Sequence, residues 1–191
     1  MTLQPAPALF LDRDGVVNEE VHYLYRIADL RFVEGIFSLC RTAQSLGYRL
    51  VIVTNQAGIG RGMFTTEDFE ILMDHIRAEF RERGIHLDAV YHCPYHPEHG
   101  IGEFRRESPD RKPSPGMLLR AASDFNLDLP NSIMIGDRCS DIEAANAAGL
   151  RQAFFIAGTE TTPCNSPHMA IQTLAEVEAW LQSDSAAQPM P

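Results

Sequence analysis

The chain has 191 residues, 45% of them hydrophobic, and a formal net charge of −10. That length suits one well-packed domain, and no apolar run is long enough to span a bilayer. The acidic balance argues against nucleic acid or an anionic membrane as partner, so any phosphate ligand must find a local positive pocket. No basic-then-apolar leader opens the chain, and a cytoplasmic protein is expected. Cys40, Cys93, Cys139 and Cys164 form no CxxC pair, and in a reducing compartment a disulfide framework is not expected.

Short apolar runs alternate with longer amphipathic ones. Strands are expected over residues 8–12, 50–54, 89–93, 133–136 and 152–156. Helices are expected over 36–46, 66–83, 116–126, 140–148 and 174–182. Thr66 opens a helix with acids in its first turn, and Gly47, Gly84 and Gly149 stand where helices should stop. This alternation predicts an α/β fold, a Rossmann-like open parallel sheet with helices on both faces. One domain is expected over 1–182, with a mobile tail over 183–191. Residues 18–34 and 94–115 lack periodicity. Neither is long enough for a separate cap domain, and both are expected to rim the site.

The first strand ends in Asp12-Arg13-Asp14-Gly15. Residues i and i+2 of a strand share a face, so Asp12 and Asp14 can meet one site beyond its C-terminal end. Crowded carboxylates repel unless a cation or a shared proton intervenes, which points to a hard metal such as Mg²⁺, to acid–base chemistry, or to both. The bland alternative is an Asp-Gly turn. The second strand ends in Thr54-Asn55-Gln56, whose hydroxyl and amides suit phosphate oxygens. The Gly58-Ile59-Gly60-Arg61-Gly62 stretch lacks dinucleotide-fingerprint spacing and reads as a turn presenting Arg61 to an anion. Arg111 and Lys112 offer a planar fork and a compact cation. The fourth strand ends in Gly136-Asp137-Arg138, with Asp141 one helical turn on. A parallel sheet collects all these clusters on one edge.

The four clusters resemble those of the haloacid-dehalogenase-like phosphatase superfamily: Asp12-x-Asp14-Gly15, Thr54-Asn55, Lys112 and Gly136-Asp137-x-x-x-Asp141. Within it the likeness is to the heptose-bisphosphate phosphatase branch, with histidinol-phosphate phosphatases second. The resemblance implies a HAD-type fold with no large cap and hydrolysis through an aspartyl-phosphate. It implies Asp12 as nucleophile and Asp14 as acid–base. It implies Mg²⁺ on Asp12, Asp137 and the main-chain carbonyl of Asp14, with Asp141 supporting the metal from behind. Thr54 and Lys112 would hold the transferring oxygens, and Asn55, Gln56, Arg61, Arg111 and Arg138 would contact substrate. The partner is then a small phosphorylated sugar; a non-catalytic sugar-phosphate binder is the alternative outside enzymology. No heptad seam appears in the sequence, and a monomer is the default expectation. Many members carry a structural zinc on Cys-x-His and Cys-x-Cys. Here those positions read Cys93, Tyr95, Ser108 and Asp110, too poor a set for a tetrahedral site, so zinc is not expected. A rearranged set of Cys93, His96, His99 and Asp110 is the one alternative.

Overall fold

Six parallel strands form a single sheet in the order β3-β2-β1-β4-β5-β6 in a computed structural model that describes residues 4–156 and 163–187. The strands are β1 (Ala8–Leu11), β2 (Arg49–Asn55), β3 (Ala89–Cys93), β4 (Ile133–Gly136), β5 (Gln152–Ile156) and β6 (Met169–Ile171). The helices are α1 (Ile36–Ser45), α2 (Ala57–Gly60), α3 (Thr66–Glu82), α4 (Gly116–Phe125), α5 (Cys139–Ala147) and α6 (Leu174–Ala187).

Strand alternation sorts the core into two layers. Leu9, Leu11, Leu50, Ile52, Ile133 and Ile135 face one way and pack on α1, α3 and α6 through Leu39, Leu72 and Val177. Ala8, Phe10, Val51, Val53 and Met134 face the other way and pack on α4 and α5 through Met117, Leu118 and Ile142. Strands buried on both faces must be apolar throughout, and β1 and β4 are. The chain runs outward from β1 to β2 and β3, then crosses back to β4 on the opposite side of β1. The crevice between β1 and β4 is therefore the switch point where open α/β sheets bind ligands.

Several boundaries differ from expectation for local reasons. Thr65, not Thr66, caps α3: its hydroxyl accepts from Asp68 N–H at 3.0 Å while the Asp68 carboxylate accepts from Thr65 N–H at 2.9 Å. β6 escaped the sequence reading because three residues carry too little periodicity. α6 runs past residue 182 to Ala187, and Arg151 grips Asp184 on it at 2.6 Å. Residues 188–191 of the expected tail lie outside the described residues.

The expectation about cysteines is corrected. Cys139 and Cys164 form a disulfide across a Cα–Cα distance of 5.1 Å, while Cys40 and Cys93 are free and buried. Cys139 opens the helix that follows β4, and Cys164 lies in the connection after β5, the neighbouring strand. Tertiary geometry decides which thiols are neighbours; spacing and compartment do not.

Candidate active site

β1 delivers Asp12 to the switch point. Its N–H donates to the Ile135 carbonyl of β4 at 3.0 Å, so the residue sits between the two central strands. Its carboxylate accepts from Lys112 Nζ at 2.6 Å. The same ammonium pairs with Asp141 at 2.6 Å and donates to the Val53 carbonyl at 2.8 Å. An ammonium has three N–H donors, and these three contacts use them all. Asp137 completes the group: it is 1% exposed, and neither carboxylate oxygen has a hydrogen-bond partner among the described residues. Ligand atoms of Asp12, Asp137 and Asp141 lie within 4.8 Å of one another, the one such group of three among the described residues.

Gly15 makes this approach possible. Its φ is +83°, and a Cβ there would run into the Asp137 carboxylate. The Asp-Gly pair is thus more than a turn signal, because the glycine leaves room for the acid that follows β4.

Three carboxylates and one ammonium leave a surplus of negative charge in a dry place. Burial, outweighing the Lys112 attraction, pushes Asp12 up to about 7. Burial and then the Asp12 and Asp141 charges push Asp137 to about 8. Burial alone would lower Lys112, but Asp12 and Asp141 outweigh it and hold the ammonium above its ordinary range. A buried, all-oxygen donor set in which Asp137 has no partner of its own fits a hard divalent cation.

Asp14 stands apart from that group. Arg13 grips it through Nε and Nη2 at 3.1 and 2.8 Å, Asn18 donates at 3.0 Å, and Gln56 Nε2 donates at 3.0 Å. Gln56 also donates to Thr54 Oγ1 at 2.8 Å, tying the ends of β1 and β2 together. Arg13 and Asn18 were missed from sequence. The available signal was a charged residue at position 13, which alternation turns toward the core; its guanidinium lies 5.6 Å from the centre of the Phe69 ring.

A cavity of about 540 Å³ opens over Asp12 and Asp14, and Thr54, Asn55, Gln56, Arg61, Arg111, Lys112, Arg138 and Asp141 all line it. Asn55 is turned to the protein: its amide donates to the Lys112 carbonyl at 2.9 Å and accepts from Lys112 N–H at 3.1 Å. It clamps the lysine's main chain. Burial and then the charges of Arg61 and Arg138 lower Arg111, and burial, Arg111 and Arg61 lower His96. These cations crowd one mouth, which gives a net-negative protein the local anion pocket that its overall field denies it.

The residues at the family's zinc positions do not fit that ion. Asp110 is paired with Arg120 at 2.6 Å, Ser108 Oγ accepts from Asp110 N–H at 3.2 Å, and the Tyr95 ring lies 3.9 Å under the Arg106 guanidinium. Burial raises the Cys93 thiol above its usual range, which opposes the thiolate a metal needs. The rearranged set brings His96 and His99 together, ring centres 4.6 Å apart, but no group of three ligands forms there. The loop is ordered instead by its own bonds, among them Arg111 to the Tyr95 carbonyl at 3.1 Å and Ile101 N–H to Gly60 at 2.8 Å.

Two outcomes are expected. Asp137 binds its proton more tightly folded than unfolded, so its contribution to stability falls as pH rises from the ordinary carboxylate range through about 8. Asp137→Asn should therefore raise the cation-free melting temperature at pH 8.5 by more than at pH 5; an equal effect at both pH values contradicts the charge surplus. For the loop, elemental analysis should find zinc well below one ion per chain, and a zinc-selective chelator should leave the melting temperature unchanged. A chelator-induced drop would restore a metal to residues 93–110.

Comparison with known proteins agrees with this geometry. A sequence profile of the HAD-hydrolase-like family matches residues 110–177. A D-glycero-alpha-D-manno-heptose-1,7-bisphosphate 7-phosphatase of Burkholderia mallei is 50% identical over 149 residues, 78% of this chain and 79% of that protein. The D-glycero-beta-D-manno-heptose-1,7-bisphosphate 7-phosphatase of Escherichia coli K12 is 38% identical over 174 residues, 90% and 91% of the two chains. Among solved structures, the D,D-heptose 1,7-bisphosphate phosphatase of B. bronchiseptica, complexed with magnesium and phosphate, superposes with a TM-score of 0.79 at 26% identity, covering 93% of this chain and 99% of that one. With the switch-point carboxylates in place and relatives of this identity and coverage, the chain belongs to the haloacid-dehalogenase-like phosphatases, in the family of the D-glycero-D-manno-heptose-1,7-bisphosphate 7-phosphatases.

Proposed function

We propose that the protein hydrolyses the 7-phosphate of D-glycero-D-manno-heptose 1,7-bisphosphate through an aspartyl-phosphate on Asp12, in the supply of nucleotide-heptose precursors for lipopolysaccharide core. The observation that carries this reading is a cavity lined by a lysine-paired buried carboxylate and by arginines, with an unpartnered, buried Asp137 within 4.8 Å of that carboxylate. A mere sugar-phosphate binder would gain nothing from carboxylates that repel its ligand.

In this reading a carboxylate oxygen of Asp12 attacks phosphorus, and the bond from phosphorus to the sugar oxygen breaks. Asp14 gives its proton to that oxygen. Water then attacks phosphorus, the bond to Asp12 breaks, and Asp14 takes the proton from the water. One residue serves both steps because the second reverses the first proton movement, and the Arg13, Asn18 and Gln56 contacts hold it in one orientation. Asp12, Asp137 and the Asp14 main-chain carbonyl would hold a Mg²⁺, which would supply the positive charge an anionic nucleophile needs to meet an anionic phosphate. Thr54 and Lys112 stand beside the transferring group, with Lys112 kept in place by Asp141 and by the Asn55 clamp. Arg61, Arg111 and Arg138 take the rest of the substrate. One chain supplies every group around the cavity, and the enzyme is taken to be a cytoplasmic monomer.

Phosphate release with Mg²⁺ is the test, comparing both anomers of heptose 1,7-bisphosphate with histidinol phosphate. The bisphosphate should be preferred. Asp12→Asn should abolish turnover without unfolding the chain, and Asp14→Asn should lower kcat by roughly 10²–10⁴-fold. Preference for histidinol phosphate would reassign the substrate, and turnover retained by Asp12→Asn would remove the nucleophile.

A further inference from the structure

Tyr23 is held in a backbone conformation that an aromatic residue rarely adopts, with φ at +56°. Strained residues persist where the surroundings over-determine them, and they cluster at functional sites. The surroundings here are the turn that carries Arg61. Gly58, in α2, has no side chain because one would run into the Phe64 and Tyr23 rings. Two residues on, Tyr25 stacks on Phe64 with ring centres 5.6 Å apart. The segment after β1 is thereby pinned onto the turn after β2.

The pinning ends in one polar contact. Arg61 Nη1 donates to the Tyr23 hydroxyl at 2.8 Å. Arg61 Nε is buried and has no partner among the described residues. Holding Nη1 leaves the Nε–Nη2 edge of the guanidinium for a two-point grip on a phosphate. Arg61 lines the cavity beside Arg111 and His96, and its charge lowers both.

We propose that Tyr23 is a positioning residue that aims the free edge of Arg61 at the phosphate that is not hydrolysed, and so sets the preference for a doubly phosphorylated sugar. This rests on the bisphosphate reading above and adds the device that selects for it.

The test compares Tyr23→Phe, Arg61→Ala and the double variant. With heptose bisphosphate, Tyr23→Phe should raise KM about tenfold, the size of one lost charge-assisted contact, with kcat within about twofold. Adding Tyr23→Phe to Arg61→Ala should cost nothing more. A second arm is independent of the true substrate: inhibition of p-nitrophenyl phosphate hydrolysis by fructose 1,6-bisphosphate and by fructose 6-phosphate. The wild type should favour the bisphosphate, and Tyr23→Phe should lose most of that ratio. An unchanged ratio, a fall in kcat alone, or costs that add in the double variant would overturn the proposal. If heptose bisphosphate is not turned over at all, the substrate reading fails by itself, and the inhibition ratio still judges Tyr23.

Discussion

One ammonium shared by two buried carboxylates, with a third carboxylate left unmatched beside them, is the constraint on which the site depends. Lys112 answers Asp12 and Asp141 at 2.6 Å each and has no donor left for Asp137. Burying charge without a partner is costly, and the protein meets that cost in two ways. Protons bind more tightly, which is the meaning of the raised Asp12 and Asp137. A divalent cation can replace those protons and leave Asp12 ionised, as the proposed nucleophile must be. A neutral aspartic acid would be inert, so the same crowding that weakens the cation-free site makes the loaded one reactive.

The sheet makes the crowding possible and keeps it in register. Asp12 and Asp137 follow neighbouring central strands, tied by the Asp12-to-Ile135 hydrogen bond. Lys112 arrives from the loop before α4, and its main chain is fixed by both ends of the Asn55 amide from the end of β2. Four separate stretches of chain thus converge with no cap domain to assemble them. Beside this centre the cavity lining turns positive: Arg61, Arg111 and Arg138 line it, the last paired with Glu20 at 3.6 Å. That arrangement suits a ligand with phosphates at both ends.

Most of the scaffold was legible because its signals are local. β3, β4 and β5 fall where apolar runs predicted them, and the acids just beyond β1 and β4 were readable as strand-end clusters. What escaped depends on tertiary neighbours. Arg13, given no role between its two acids, is 1% exposed and braces Asp14. Asn55 looked like a substrate contact, yet its amide is turned to Lys112. The Cys139–Cys164 bond joins residues 25 apart through the adjacency of β4 and β5, which no spacing rule encodes. The loss of zinc donors was readable, but the replacement was not: Arg106 on Tyr95 and Arg120 on Asp110 are contacts that only the folded loop creates.

The central claim is that Asp12 and Asp137 keep protons near neutrality and surrender them to a divalent cation. Titration of the weakly buffered protein at pH 7 with MgCl₂, following proton release, tests it most directly. Binding should be accompanied by release of protons from the wild type, and by markedly less from Asp137→Asn. Magnesium binding with no proton release, or the same release from both proteins, would contradict it.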